Sequence, residues 1–133
     1  MRADRALVKK FIAESNRIES AVSFITRFAI EDTQIKGIEV KKGDTFMCLL
    51  WAANRDPKKF LNSNNILLAR PNDILLIFGS GIHFCIGAAV AKIEMEIATK
   101  NFMDKFSDFK IIPELNWRHD FRFRALQTLK IKV

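Results

Sequence analysis

From Ala3 to Glu19 apolar residues recur at roughly helical spacing, at Ala6, Leu7, Phe11, Ile12 and Ile18, with no proline or glycine between them. That pattern predicts a first helix. From Ser20 to Leu50 the apolar runs shorten, beginning with Val22, Phe24 and Ile25, while Ile35-Lys36-Gly37-Ile38 marks a hairpin turn and Lys42-Gly43 a second turn. A small sheet is predicted there. Leu50-Trp51-Ala52-Ala53 opens an apolar stretch stopped at Pro57, with Phe60 packing beyond it, and Asn62 to Asp73 is polar and irregular. A glycine-punctuated loop runs from Phe78 to Gly87, and Ala88, Ala91, Ile93, Met95, Ile97, Ala98 and Phe102 then predict the longest helix, over Gly87 to Phe106. After Pro113, Trp117-Arg118 and Phe121-Arg122-Phe123-Arg124 alternate apolar with basic residues, as a half-buried strand does.

The loop holds the candidate chemistry. Gly79 and Gly81 permit turns or a close ligand approach that a side chain would block, and Gly87 does the same just after the cysteine. Cys85 stands where this loop passes into a helix, so free backbone N–H groups and the positive end of the helix dipole favour a thiolate. That is the position of a metal ligand or a nucleophile. Glu14 and Arg17 lie three apart on one face of the first helix and can pair; most such pairs are surface decoration worth a few tenths of a kcal/mol. His83 alone reads equally as a surface or a core histidine, and Arg27 as an exposed strand arginine. Cys48, inside Thr45-Phe46-Met47-Cys48-Leu49-Leu50-Trp51, reads as a small buried hydrophobe.

Composition narrows the classes. The 133 residues, 49% hydrophobic, suffice for one compact domain. No apolar run approaches the roughly 20 residues that span a bilayer, and Arg2, Asp4 and Arg5 interrupt the place of a signal peptide. A soluble, cytoplasmic chain without a membrane partner is expected, and its 2 cysteines, with no CxxC, are expected to stay unpaired. The net charge of +7 attracts acidic partners. Its basic residues are scattered, tyrosine is absent and no nucleic-acid module is visible, so no nucleic-acid role is expected. A dinucleotide fingerprint fails because Phe84 stands where glycine must follow Gly81. Cys48, His83, Cys85 and His119 are zinc-ligand types without zinc-site spacing.

Taken together, Phe78, Gly81, His83, Cys85, Gly87, Ala88, Ala91 and Glu94 resemble the haem-binding signature of the cytochrome P-450 family, in its bacterial soluble form. The resemblance implies a mainly helical α+β fold: the C-terminal part of the family's fold, with small β-sheets and a cysteine loop followed by a long helix. It implies haem b, iron protoporphyrin IX, as cofactor, with Cys85 as the proximal iron ligand whose thiolate pushes electron density onto the metal. Arg27, Phe78, Gly79, His83, Cys85, Gly87 and Ala91 would contact the cofactor. Propionate anchoring falls to Arg27 and His83, because Leu75 stands where bacterial members commonly place a histidine. Glu14, Arg17 and Arg70 would form a structural charge network, costly to break singly. Ala21 replaces a usual proline, and Ala125 a usual glycine in a closing hairpin from Arg124 to Val133.

The resemblance runs from about Ala6 to the last residue, yet what stands here resembles only the C-terminal third of the family. Residues 1–133 are therefore expected to be the haem-binding portion, without the distal helix whose acid–alcohol pair delivers protons and without most of the substrate pocket. No catalytic residue beyond Cys85 is identifiable. The implied function is that of a haem-thiolate monooxygenase, an oxidoreductase inserting one oxygen atom from O2 into a small organic substrate. An acidic electron-transfer protein of ferredoxin or flavodoxin type would dock near Lys92 and Lys100, and a complementing chain would supply the distal half. The alternatives are a non-catalytic remnant that binds haem weakly or not at all, betrayed by a large exposed apolar face, and a zinc-binding or basic interaction module.

Overall fold

The computed structural model describes residues 4–71 and 75–133. Ala3, expected to start the first helix, and Asn72 and Asp73, at the end of the polar loop, lie outside the described residues. Helix α1 spans Leu7–Ile18. It starts later than the periodicity suggests because Asp4 Oδ1 accepts the Ala6 N–H at 2.9 Å and holds the preceding residues in a turn. Its end is tied down by three donors on one carbonyl: Ile18 O accepts Trp51 Nε1 at 2.9 Å and Arg55 Nε and Nη2 at 3.0 and 2.6 Å. These bonds satisfy a helix-terminal acceptor that has no intrahelical partner.

Strand β1 (Phe24–Phe28) is followed by β2 (Thr33–Ile35), β3 (Ile38–Val40) and β4 (Thr45–Leu49). The predicted small sheet is two nested antiparallel ribbons: β1 pairs with β4, Phe24 opposite Leu49, and β2 pairs with β3, Ile35 opposite Ile38. Lys36 and Gly37 both take positive φ, 49° and 85°. A type I′ hairpin requires that pair of conformations, and glycine adopts it without strain. Cys48, expected to be buried, is exposed on β4 opposite Ile25. A two-stranded ribbon has no second layer over both faces, so an apolar run does not imply burial there.

Helix α2 is a single turn, Leu50–Ala53, and Leu50, Asn54 and Phe60 around it are 5%, 1% and 2% exposed. The longest helix, α3, spans Ala88–Lys105 and packs against α1 through a small core of Val8, Ile12 and Met103, with Met95 beside it. Within α3 only Ala88 and Met103 are buried, while Val90, Ile93 and Ile97 are all more than half exposed. An apolar face of that extent marks a surface made to be covered.

The last segment departs from expectation in two places. Phe121-Arg122-Phe123-Arg124 is not a strand: Asp120 Oδ1 accepts the N–H groups of Arg122 and Phe123, each at 2.9 Å, which turns the chain. Only Phe123 bridges, to Val22, while Phe121 stacks on Phe24 with ring centroids 5.6 Å apart. The closing hairpin is also different. β7 (Leu126–Thr128) and β8 (Ile131–Lys132) pair not with each other but with β6 (Asn116–Trp117) and β5 (Lys110–Ile111). Residues 124–133 are thus one arm of a longer ribbon.

Candidate functional site

The cysteine loop is built from two 3₁₀ turns, Leu76–Phe78 and Gly81–His83. Each closes on a backbone bond, Gly79 N–H to Leu76 O and Phe84 N–H to Gly81 O, both 3.0 Å. Gly79 and Gly81 have φ of 74° and 66°, where a side chain is strained. Gly87 does not share this need: its φ is −82°, and a Cβ there would lie 3.8 Å from Cys85 Sγ, in ordinary contact. The Cys85 N–H donates to Phe78 O at 2.9 Å and the Cys85 carbonyl accepts the Ala88 N–H at 3.1 Å. Cys85 is thereby fixed on both sides at the N-terminus of α3, with its thiol free and exposed.

The surroundings of that thiol are apolar. Ile82 and Ile86 are almost fully exposed and Phe84 is half exposed. Phe78 meets Phe84 edge to face, centroids 6.5 Å apart, and Lys92 Nζ lies 5.6 Å from the Phe78 ring centre. Between the loop, α1 and α3 is an open cavity of about 660 Å³, lined among others by Ile12, Leu75, Phe78, Phe84 and Ile93. Leu75 belongs to that apolar lining. Ala91 is half-buried in the first turn of α3, its N–H bonded to Gly87 O at 2.9 Å.

Other singled-out residues are dispersed. Arg27, on β1, donates from Nη1 to Thr26 O at 2.8 Å, and His83 is exposed at the end of the second 3₁₀ turn. Cys48, His83, Cys85 and His119 do not assemble a zinc site; among the described residues no group of three or more His, Cys, Asp or Glu side chains could hold a metal ion. Of the two lysines near the cysteine helix, Lys100 is occupied by Glu96 at 2.6 Å, and Lys9 approaches the same carboxylate at 3.6 Å. Among the described residues, no helix is long and apolar enough to cross a membrane.

Glu14, Arg17 and Arg70 meet in one place. Arg17 Nε and Nη2 donate to Glu14 Oε1 and Oε2 at 2.7 and 3.1 Å, and Arg70 Nε donates to Oε1 at 3.0 Å. Arg17 also donates to three carbonyls, Asn54 O at 3.1 Å, Ser63 O at 2.5 Å and Asn65 O at 2.9 Å. The fully buried Arg17 cation lies 5.3 Å from the centre of the Phe60 ring, and Arg70 lies 5.9 Å from it. Burial alone would push the Glu14 carboxyl up. The hydrogen bonds from Arg17, from the Leu67 N–H and from Arg70 outweigh burial and lower it from 4.5 to about 2.

A depressed carboxyl contributes stability that is complete above its unfolded value and fades as pH falls towards its folded value. Acid titration followed by far-UV circular dichroism is therefore expected to show stability falling between 4.5 and about 2. The Glu14→Gln variant should be less stable at neutral pH and lose that pH dependence; an unchanged slope would show that Glu14 does not carry it. Neither Asn54 nor the carbonyls of Ser63 and Asn65 was foreseen in this network. The sequence marks Asn54 only as the first polar residue after the apolar run Leu50-Trp51-Ala52-Ala53, ahead of Arg55 and Asp56.

The family model described as Cytochrome P450 matches residues 1–121. The chain is 30% identical over 135 residues to the putative cytochrome P450 133B1 of Xylella fastidiosa (strain 9a5c), covering 100% of this chain and 34% of that protein. It is 38% identical over 119 residues to the pulcherriminic acid synthase of Bacillus subtilis (strain 168), covering 82% and 29%. Among solved structures, P450BioI in complex with hexadec-9Z-enoic acid ligated acyl carrier protein superposes with a TM-score of 0.93 at 33% identity, over 98% of this chain and 34% of that one. CYP109E1 from Bacillus megaterium in complex with testosterone gives 0.93 at 28% identity, over 98% and 37%. The chain spans about a third of the length of these relatives.

Proposed function

Because this chain belongs to the cytochrome P450 family, we propose that residues 1–133 are the haem-binding portion of a haem-thiolate monooxygenase, with Cys85 as the proximal ligand of haem b. The observation that carries this reading is the fixed, open thiol: Cys85 is held by Phe78 O at 2.9 Å, free and exposed among apolar side chains. A single sulfur donor in an apolar setting fits a metal already held by a macrocycle. It does not fit a bare ion, which needs several protein ligands.

When bound, haem supplies the oxidative chemistry by which one atom of O2 enters an organic substrate and the other leaves as water, using two electrons and two protons. The chain's own residues position it. Gly79 and Gly81 hold the loop in a conformation that keeps the Cys85 sulfur outward, Gly87 and Ala91 keep bulk away beside it, and Phe78 supplies an aromatic wall. Arg27 and His83 provide cationic or donor groups for the haem carboxylates. An acidic ferredoxin or flavodoxin would approach the basic surface beside the loop. Lys92 is its better contact there, since Glu96 occupies Lys100. The substrate is a small organic molecule.

The exposed Val90, Ile93 and Ile97 of α3 favour a second reading. By itself this stretch would bind haem weakly and turn over nothing, and full activity would need a polypeptide equivalent to the remaining two thirds of the relatives' length. The deciding experiment adds haem to the purified chain, reduces it, exposes it to carbon monoxide and records the absorption spectrum. A strongly red-shifted main band is expected from thiolate ligation. A main band without that shift, or no band at all, would overturn the assignment for this chain.

A further inference from the structure

Asn54, the residue after α2, is 1% exposed, and each of its polar groups is engaged. Its N–H donates to Leu50 O at 3.0 Å and its carbonyl accepts Arg17 Nη1 at 3.1 Å. In the side chain, Nδ2 donates to Ser20 Oγ at 3.4 Å and Oδ1 accepts the Leu76 N–H at 2.9 Å. The last bond reaches beyond the charge network, because Leu76 opens the 3₁₀ turn that carries Phe78. From there the bonding runs on: Leu76 O accepts the Gly79 N–H at 3.0 Å, and Phe78 O accepts the Cys85 N–H at 2.9 Å. One buried amide therefore joins the residue that holds Arg17 to the turn that holds Cys85.

We propose that Asn54 is a positioning residue for the cysteine, coupling the Glu14–Arg17 network to the Cys85 loop through the Leu76 amide; its bearing on haem rests on Cys85 being the ligand. Leu76 is only half-buried and neighbouring backbone supplies its N–H with no substitute acceptor among the described hydrogen bonds. Losing Oδ1 leaves that donor poorly paired at the first residue of the turn, and a partly buried unpaired donor is destabilising. The turn then loosens where it begins, and with it the Phe78 carbonyl that fixes Cys85. Ser20 touches only the other side of the amide, so it serves as a control.

Amide hydrogen exchange on the full haem-free chain tests this directly. In the wild type, the Leu76, Gly79 and Cys85 amides are expected to open together as denaturant is added. In Asn54→Ala they should exchange about tenfold faster, as the loss of one buried hydrogen bond implies, while amides of the β1–β4 ribbon keep their rates. Asn54→Asp, which retains an oxygen for Leu76, should preserve Leu76 protection, and Ser20→Ala should leave the loop unchanged. Uniform acceleration across the chain in Asn54→Ala would overturn the proposal, reducing Asn54 to a general brace. Should that variant not fold, a Cys85 amide that opens independently of Leu76 in the wild type would overturn it equally. In haem-loaded protein, Asn54→Ala should convert part of the red-shifted carbon monoxide band to an unshifted one and Ser20→Ala should not. A wild type with no shifted band would defeat the Cys85 assignment, and the exchange rates would still decide the role of Asn54.

Discussion

Replacing Cys85 by serine is expected to abolish the red-shifted carbon monoxide band completely while leaving the fold in place. The two halves of this prediction have separate causes. Serine offers a hydroxyl, which at neutral pH is not an anion and is a poor partner for haem iron, so the electronic signature of a thiolate has no source. Stability is spared because the Cys85 side chain is exposed and makes no side-chain hydrogen bond among the described residues, whereas the bonds that shape the loop, Cys85 N–H to Phe78 O and Ala88 N–H to Cys85 O, are backbone bonds that serine keeps. Exposed substitutions of this kind change stability by about 0.5 kcal/mol or less. The thermal transition followed by circular dichroism should coincide with that of the wild type. Cys48, the other cysteine, lies exposed on β4, so Cys48→Ser is the matching control and should retain the band. A shifted band surviving in Cys85→Ser and lost in Cys48→Ser would move the ligand to β4 and refute the loop as the site.

What could be read in the sequence was local. The Lys36-Gly37 hairpin was legible because glycine supplies positive φ where a tight reversal needs it, and the cysteine loop because Gly79 and Gly81 do the same. Helix α1 was legible because its apolar residues share one face, the face that buries Val8 and Ile12. Helix α3 was visible from the absence of breakers, but its covered face was not. Its apolar residues surround the axis, so periodicity could not say that Ala88 and Met103 would be buried while Val90, Ile93 and Ile97 stayed open.

What was not legible depends on partners remote in sequence. Alternation at Phe121 to Arg124 has the period of a strand, but one Asp120 oxygen captures two amides and bends the chain, and side-chain capture leaves no trace in a hydrophobic pattern. Pairing of β7 with β6 and of β8 with β5 is a choice among possible ladders that Arg124 to Val133 alone does not contain. Cys48 shows the same limit: an apolar run says that a strand forms, not which of its faces is covered. Asn54 is the most instructive case, since its burial depends on two remote segments meeting around it, the end of α1 through Arg17 and Ser20 and the 3₁₀ turn through Leu76.

Arg17→Ala is expected to be the most damaging single substitution to the fold, costing about 3–5 kcal/mol, the range for removing one partner of a buried ion pair. Outside the network of Glu14, Arg17 and Arg70, the ion pairs among the described residues do not compare. Lys130 and Glu114, for instance, are more than half exposed on both sides, and pairs of that kind are worth at most about 1 kcal/mol because water and salt screen them. Arg17 differs because its side chain is fully buried and its donors serve four groups at once. Without it the Glu14 carboxylate stays buried with less compensation, the Asn54, Ser63 and Asn65 carbonyls lose a donor, and the Phe60 ring loses the nearer of the two cations against it. Domains are stable by only about 5–15 kcal/mol, so this loss should shift the urea midpoint far down or leave the chain unfolded at 25 °C. Adding Glu14→Gln to Arg17→Ala removes a buried charge that keeps only Arg70 and the Leu67 N–H as donors and should recover part of the loss, which separates the buried carboxylate from the missing packing. An Arg17→Ala midpoint equal to that of the wild type would refute the network as a support of the fold. Partial recovery in the double variant would locate the cost in the carboxylate left with only Arg70 and the Leu67 N–H, and no recovery would locate it in the carbonyls and the Phe60 ring.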